Sequence, residues 1–594
     1  METSFPAILQ YLYAECLRTG QTPSAWNETE IHLLTKDIPK ARDADNLRPI
    51  TLVCVFRKVF ERLLLKRFDR QGWAALQPAQ AGFRSHYSTS IDAAIVHHLV
   101  ETGLRSQAVF VDFCSAFDVV NHEKLLGLLR QQGCPIDVYT MINCLMVRKV
   151  KSRVMVNGRK SDWFDRTRGV LQGSVLSATL FNFYIDGLIE RLNASTVIIP
   201  RCLFYADDEV LLGKRGENLQ PTMDIVKGWS ERWEIDVNTD KCGHVSQDGQ
   251  VAPVSWKGER IARVERYQYL GFLMMATGIG FRHHLEARMG TAVNRARYLA
   301  VHSDSWGPAH RLRVYKQFLA PMYDYGAPLV DAWIQERPKN LQVFHEAVAK
   351  PFQQLMAWIA HDKGKRYRCI ANLSGLVSLR RRFQLMRTAY QGILEQMGRE
   401  HLLWRILQQR PSGRRLTAGF AAHLERDGNW SIFRATGHFE PTVTIALRRF
   451  LVRKHSEYLY QESTQAALTR LIPLTARGVP GLSIVDICFA GSSLRQEVFL
   501  RYRLGMFMYG ALCKCDQPGK FRRGHERCSR LQHTIQLSRS ERKAKREDRI
   551  RFGLDVNYTD IDYLLNTGQS DRAWKALVGI RAELLAFFHE NQGQ

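Results

Sequence analysis

The chain has 594 residues, room for roughly two to four domains, and 45% of them are hydrophobic, enough for a real core. Lysine and arginine number 84 against 58 acidic residues, a formal net charge of +26; such an excess points to a polyanionic partner, nucleic acid first. No run of about 18 apolar residues argues for a membrane span, the start from Met1 to Pro6 lacks the basic region of a signal peptide, and most of the 12 cysteines are scattered singly, which excludes a secreted disulfide framework and implies a reducing, intracellular setting.

Residues 3–19 carry helical apolar spacing, and 50–68 (ITLVCVFRKVFERLLLKRF) predict a stronger helix with Arg and Lys on its outer face. The short β-branched run 107–112 (QAVFVD) predicts a strand, and 122–131 a helix capped by Asn121. Residues 202–212 (CLFYADDEVLL) predict two short strands around a tight acidic turn. From about residue 281 the pattern turns helical, over 283–301, 309–321 and 340–360, and the Pro/Gly/Arg-rich stretch 410–419 is the best linker candidate. Strands mixed with helices early and helices late predict an α+β core with a mainly α-helical C-terminal extension.

Asp112 closes the first strand, and Asp207 and Asp208 sit in the acidic turn. Two Mg²⁺ ions about 4 Å apart, held by a few carboxylates on rigid elements, are what nucleotidyl transfer requires. An apolar-flanked Asp-Asp is equally well an ordinary polar turn, and spacing alone leaves both readings open.

The surrounding segments resemble, in order, the motifs of non-LTR (LINE-type) retrotransposon reverse transcriptases. Phe204 with Tyr205, Ala206, Asp207 and Asp208 resembles the catalytic hairpin, and 109–122 (VFVDFCSAFDVVNH) the first catalytic motif. Residues 169–186 resemble the Gln-Gly-Ser motif, 238–242 (NTDKC) the lysine motif, and 269–272 (YLGF) the primer grip. Upstream, 47–50 and 80–85 resemble fingers motifs; downstream, 315–328 resembles the thumb. The resemblance covers roughly 25–360, and an ordered series is far more specific than any single motif. It implies a right-hand polymerase: N-terminal helix and fingers over 1–105, palm over 106–280, thumb over 281–400, and a basic helical region over 401–594. It implies an RNA-directed DNA polymerase, probing RNA template and primer or target DNA, using dNTPs and working in the nucleus. Asp112, Asp207 and Asp208 would hold Mg²⁺. Lys36 and Arg48 would grip the triphosphate, where Arg is suited to bidentate contact, with Arg84 a weaker nucleotide or template contact. Phe117 would exclude a 2′-hydroxyl, Gln172 and Gly173 would pack under the nascent pair, Lys241 would protonate pyrophosphate, and Tyr269, Leu270 and Gly271 would hold the primer end.

Several positions depart from that pattern. Glu209 adds a carboxylate beside the acidic pair unless strand alternation turns it away. Leu171 and Ala178 replace common prolines, and Leu34-Thr35-Lys36 replaces the commoner Ile-Pro-Lys. No nuclease motif precedes the fingers, so the expectation is either a fragment or a nicking function supplied elsewhere. Cys513, Cys515, His525 and Cys528 form a candidate zinc knuckle, with His533 as a spare ligand, beside a Lys/Arg-rich segment running to Arg551. A catalytically decayed nucleic-acid-binding remnant and a group II intron-type reverse transcriptase stand as the alternative functions, and the sequence leaves the oligomeric state open.

Overall fold

The computed structural model describes residues 5–35, 47–70, 75–84, 87–148, 150–156, 158–194, 199–302, 306–360, 371, 376–396, 401–407, 454, 455, 457 and 458. Lys36, the linker at 410–419, Cys513, Cys515, His525, Cys528 and the basic segment after them lie outside the described residues. The chain divides into two compact units, 1–280 with 397–414, and 281–396 with 415–594. The architecture is α+β, with the described strands in the first unit and helices in both.

The first unit opens with helix α1 (Phe5–Thr19), then strand β1 (Glu28–Thr35), strand β2 (Leu47–Leu52) and helix α2 (Val55–Arg70). The continuous helix expected over 50–68 is therefore corrected: residues 50–52 are strand. Ile50 and Thr51 are β-branched and follow Pro49, and they pair antiparallel with His32 and Ile31. Strand β1 also pairs in parallel with β4 (Lys151–Val156), which takes β5 (Arg159–Lys160) and β6 (Phe164–Asp165) as antiparallel partners.

A second sheet is fully antiparallel, in the order β7 (Cys202–Tyr205), β8 (Asp208–Gly213), β3 (Gln107–Asp112), β9 (Gly243–Ser246). Its central strand β3 has Ala108, Val109, Phe110 and Val111 all buried, as expected where both faces are covered. One face packs on helix α6 (Val175–Asn193), where Asn193 Nδ2 donates to Cys202 Sγ at 3.1 Å. On the other face Phe110 stacks flat on Tyr267 at 4.4 Å and lies 5.1 Å from Tyr269, both on β12 (Arg266–Tyr269) of a small sheet with β13 (Phe272–Met275) and β14 (Gly278–Ile279). Between β3 and α6 runs helix α4 (His122–Gln131), whose first turn is capped as expected: Asn121 Oδ1 accepts from the Lys124 N–H at 3.1 Å.

The second unit packs helix Phe281–His302 against helix Pro338–Ala360, and helix Ala327–Glu336 against helix Leu379–Gln396. The helix expected over 309–321 is interrupted by a π-turn at Tyr315–Leu319 ahead of Pro321. Arg382 Nε donates to Asp324 Oδ1 at 2.7 Å, and Arg387 pairs with the buried Asp331 at 2.9 Å. Among the described residues no helix is long and apolar enough to cross a membrane.

Candidate active site

Strand register brings the acids together. Asp112 is the direct cross-strand partner of Asp208, and Asp208 is also paired with Tyr205 across the β7–β8 turn. Directly paired residues share a face, so Asp112 and Asp208 project from the side of the sheet that carries Phe110. The turn is tight, and Ala206 takes a left-handed backbone with φ 59°, a conformation that usually selects glycine or asparagine. Desolvation first, then the Asp207 and Asp112 charges, push the Asp208 carboxyl up to about 7. Asp207 is raised as well, by desolvation and then by Asp112, with Arg48 pulling it back. Clustered carboxylates that oppose one another's ionisation are the donor set a hard divalent cation relieves.

Three expected cationic residues are placed by the described structure. Lys241 Nζ pairs with Asp112 Oδ2 at 3.4 Å, so the lysine motif reaches the acidic cluster. Arg48, exposed on β2, is near enough to act on Asp207. Arg84, the expected weaker nucleotide or template contact, is engaged within its own loop. Its guanidinium donates to the Gln77 carbonyl at 2.9 Å and the Gln80 carbonyl at 2.7 Å and lies 4.4 Å from the Tyr87 ring centre, so it fixes its own loop.

Glu209 is turned away from the acids. It pairs with Val111 and Phe204, one residue out of phase with Asp208, and is 1% exposed on the face covered by α6. Burial raises its carboxyl to about 8, and neither oxygen has a hydrogen-bond partner.

Phe117 follows β3 on a turn where Ser115 has φ 46°. Its ring stacks on Phe181 at 4.4 Å and meets Phe83 edge-on at 6.2 Å, which fixes the ring's plane. The Gln-Gly-Ser segment is laced to this stretch. The Val170 N–H donates to the Phe117 carbonyl and the Gly169 N–H to the Val120 carbonyl, each at 2.8 Å. Gln172 Nε2 donates to Asp118 Oδ2 at 2.8 Å, and His122 Nε2 contacts the Gly169 carbonyl at 2.8 Å. Gly173 has φ 149°, and a Cβ there would lie 2.0 Å from the Thr51 carbonyl oxygen; only glycine permits that approach.

The Tyr269 ring is buried against Phe110, so at this position the side chain belongs to the core. The turn itself is Leu270 and Gly271, both left-handed at φ 45° and 77°. It joins β12 to β13 beside Phe110, two residues from Asp112 on the same strand face.

Residue-by-residue reading of the sequence passed over the brace beneath the acidic turn. Gln80 Oε1 accepts from the N–H groups of Ala206 and Gly82, each at 2.9 Å, while the Ala81 N–H donates to the Phe204 carbonyl at 2.8 Å. Asn182 Nδ2 donates to the Gly82 carbonyl at 2.6 Å. A Cβ on Gly82 would meet the Ala206 nitrogen at 2.2 Å. The available signal was Gln80-Ala81-Gly82 itself, whose glycine marks a close backbone approach.

Residues 38–274 match the family model described as reverse transcriptase (RNA-dependent DNA polymerase). The chain is 27% identical over 343 residues to the RNA-directed DNA polymerase from mobile element jockey of Drosophila melanogaster, covering 54% of this chain and 37% of that protein. It is 26% identical over 248 residues to the Pol polyprotein from type-1 retrotransposable element R2 of Nasonia vitripennis, covering 40% of this chain and 24% of that one. A solved structure of telomerase from Candida tropicalis with a TWJ fragment of telomeric RNA aligns at TM-score 0.34 and 11% identity, over 65% of this chain and 67% of that one. The chain thus spans about a third of the length of the jockey protein it matches.

Proposed function

We propose that this chain, whose residues 38–274 are a reverse transcriptase domain of the non-LTR retrotransposon kind, copies RNA into DNA by two-metal nucleotidyl transfer, primed on target DNA. The observation that carries the proposal is the pairing of Asp112 with Asp208 beside Asp207, at the end of a buried antiparallel sheet inside that domain.

Asp112, Asp207 and Asp208 would hold two Mg²⁺ ions. When bound, these ions activate the attacking 3′-hydroxyl and neutralise charge developing on the phosphates. The chain's own residues then do the positioning. Arg48, with Lys36, receives the triphosphate of a dNTP. Phe117, its ring held between Phe181 and Phe83, bars a 2′-hydroxyl. Gln172, oriented by Asp118, lies with Gly173 under the nascent pair. The Leu270-Gly271 turn holds the primer end by its backbone. Lys241, freed from Asp112, donates a proton to the departing pyrophosphate. Glu209, the departure that most favoured a catalytically decayed remnant, faces the opposite side of the sheet and leaves the metal-binding set unaltered.

Primer extension on an RNA template with Mg²⁺ and dNTPs tests this directly. Wild-type protein is expected to extend, and Asp207→Ala and Asp112→Ala to stop extension; product that survives both substitutions would remove the reaction from this cluster. Outside the described residues, Cys513, Cys515, His525 and Cys528 are proposed to bind one zinc per chain next to a nucleic-acid-binding basic segment. Chelation of purified protein should release about one equivalent, and a metal-free preparation with unchanged circular dichroism would refute the knuckle.

A further inference from the structure

The first turn of helix α6 begins immediately after Gln172 and Gly173, and a buried ion pair on another helix holds it. Glu61 and Arg57, one turn apart on α2, are both fully buried. Arg57 Nε donates to Glu61 Oε1 at 2.7 Å. The other oxygen, Glu61 Oε2, accepts from the Ser174 hydroxyl at 2.8 Å and from the Val175 N–H at 2.7 Å. Ser174 is the N-cap of α6, so a carboxylate supplied by α2 meets the positive end of α6. Arg57 is anchored in turn: Nη1 donates to the Trp26 carbonyl at 2.7 Å and Nη2 to the Leu145 carbonyl at 2.8 Å. A pair buried this completely is costly to desolvate and contributes little net stability against apolar residues of the same volume. It does fix the position of whatever it bonds.

What it bonds is the segment that carries Gln172 and Gly173. This segment is held at three points: Asp118 on the Gln172 amide, the Thr51 N–H on the Gln172 carbonyl at 2.7 Å, and Glu61 on Ser174 and Val175. Two of the three anchors come from β2 and α2. We infer that Glu61, held in place by Arg57, is a positioning residue that sets the height of the Gln172-Gly173 platform beneath the nascent base pair, and so governs nucleotide affinity and selection. The inference rests on the polymerase reading above.

The test uses the full chain with Glu61→Ala and Glu61→Gln, read by steady-state primer extension and by hydrogen exchange. Glu61→Ala should raise the dNTP KM about tenfold and raise misincorporation, with kcat changed far less, because the lost charge-assisted bonds orient the platform and touch no reacting atom. Glu61→Gln keeps an amide oxygen for the Val175 N–H and should recover most of the KM. In parallel, amides 172–176 should exchange faster in Glu61→Ala while those of β3 and β8 stay as in wild type. Wild-type dNTP KM and fidelity in Glu61→Ala would overturn the inference, as would kcat loss in step with the folded fraction. If the wild-type chain extends no primer, the polymerase reading fails by itself; the exchange experiment then decides the positioning role, and unchanged protection over 172–176 refutes it.

Discussion

At the scale of single residues, the consequences hang on where each side chain is pinned. Phe117 is fixed by two rings, so Phe117→Ala should raise ribonucleotide use relative to deoxynucleotide use by at least about tenfold in competition assays; an unchanged ratio would assign sugar discrimination elsewhere. Asp208, pushed up to about 7 in the metal-free protein, must lose its proton to bind Mg²⁺. Mg²⁺ affinity should therefore fall about tenfold from pH 8 to pH 6, measured by calorimetric titration. Glu209 gives a separate signature. Its folded-state carboxyl lies near 8, above the ordinary value of 4.5, so its stability contribution is fully present below about pH 4.5 and lost as pH rises through 8. Glu209→Gln should raise Tm by an increment that grows between pH 5 and 8, and leave Mg²⁺ affinity unchanged; weaker Mg²⁺ binding would show that Glu209 is a ligand after all. The three aspartates were legible as residues, and ordered neighbouring motifs gave them a use. The direction of Glu209 was open, because a one-residue uncertainty in strand phase inverts the face. The hydrogen bonds of Arg84 and Glu61 were closed to sequence reading, since both bond backbone groups whose positions only the folded chain defines.

At the scale of elements, the β7–β8 hairpin is a turn that its own sequence supports poorly. Ala206 is left-handed without being glycine, at a cost of about 1–2 kcal/mol, and Gln80, 126 residues away, holds it there, with Ala81 bonded to the Phe204 carbonyl and Gly82 packed against the turn. Gly82→Ala should accordingly displace the acidic turn. Primer extension is expected to drop at least about tenfold and Tm by several degrees, by calorimetry; a variant with wild-type activity would show that the turn stands without its brace. Short apolar, β-branched runs exposed β3, β7 and β8 in the sequence, and helical spacing exposed α4, together with the Asn121 cap. It misassigned residues 50–52, because Ile50, Thr51 and Leu52 extend an apolar run that serves a strand and a following helix equally well. The parallel pairing of β1 with β4 had no local trace at all: it joins residues more than 120 positions apart.

At the scale of the molecule, the described residues fall into one unit that carries the reverse transcriptase match, 1–280 with 397–414, and another whose described elements are helices. Under the proposed function, the net charge of +26 predicts salt-sensitive association with nucleic acid. Raising salt from 50 to 200 mM should weaken RNA binding by at least about a hundredfold in filter binding, if several phosphates are contacted; an affinity independent of salt would argue against a phosphate-led interface. Synthesis on the ribosome leaves the central strand of the antiparallel sheet exposed. Residues 107–112 leave the ribosome first, but the strands on either side of them, 208–213 and 243–246, follow about a hundred residues or more later. For that interval a strand with four consecutive apolar residues, Ala108 to Val111, has both edges unpaired, an invitation to aggregate. Truncation between residues 131 and 200 should therefore yield insoluble chains, and solubility should return only once the nascent chain has passed Ser246.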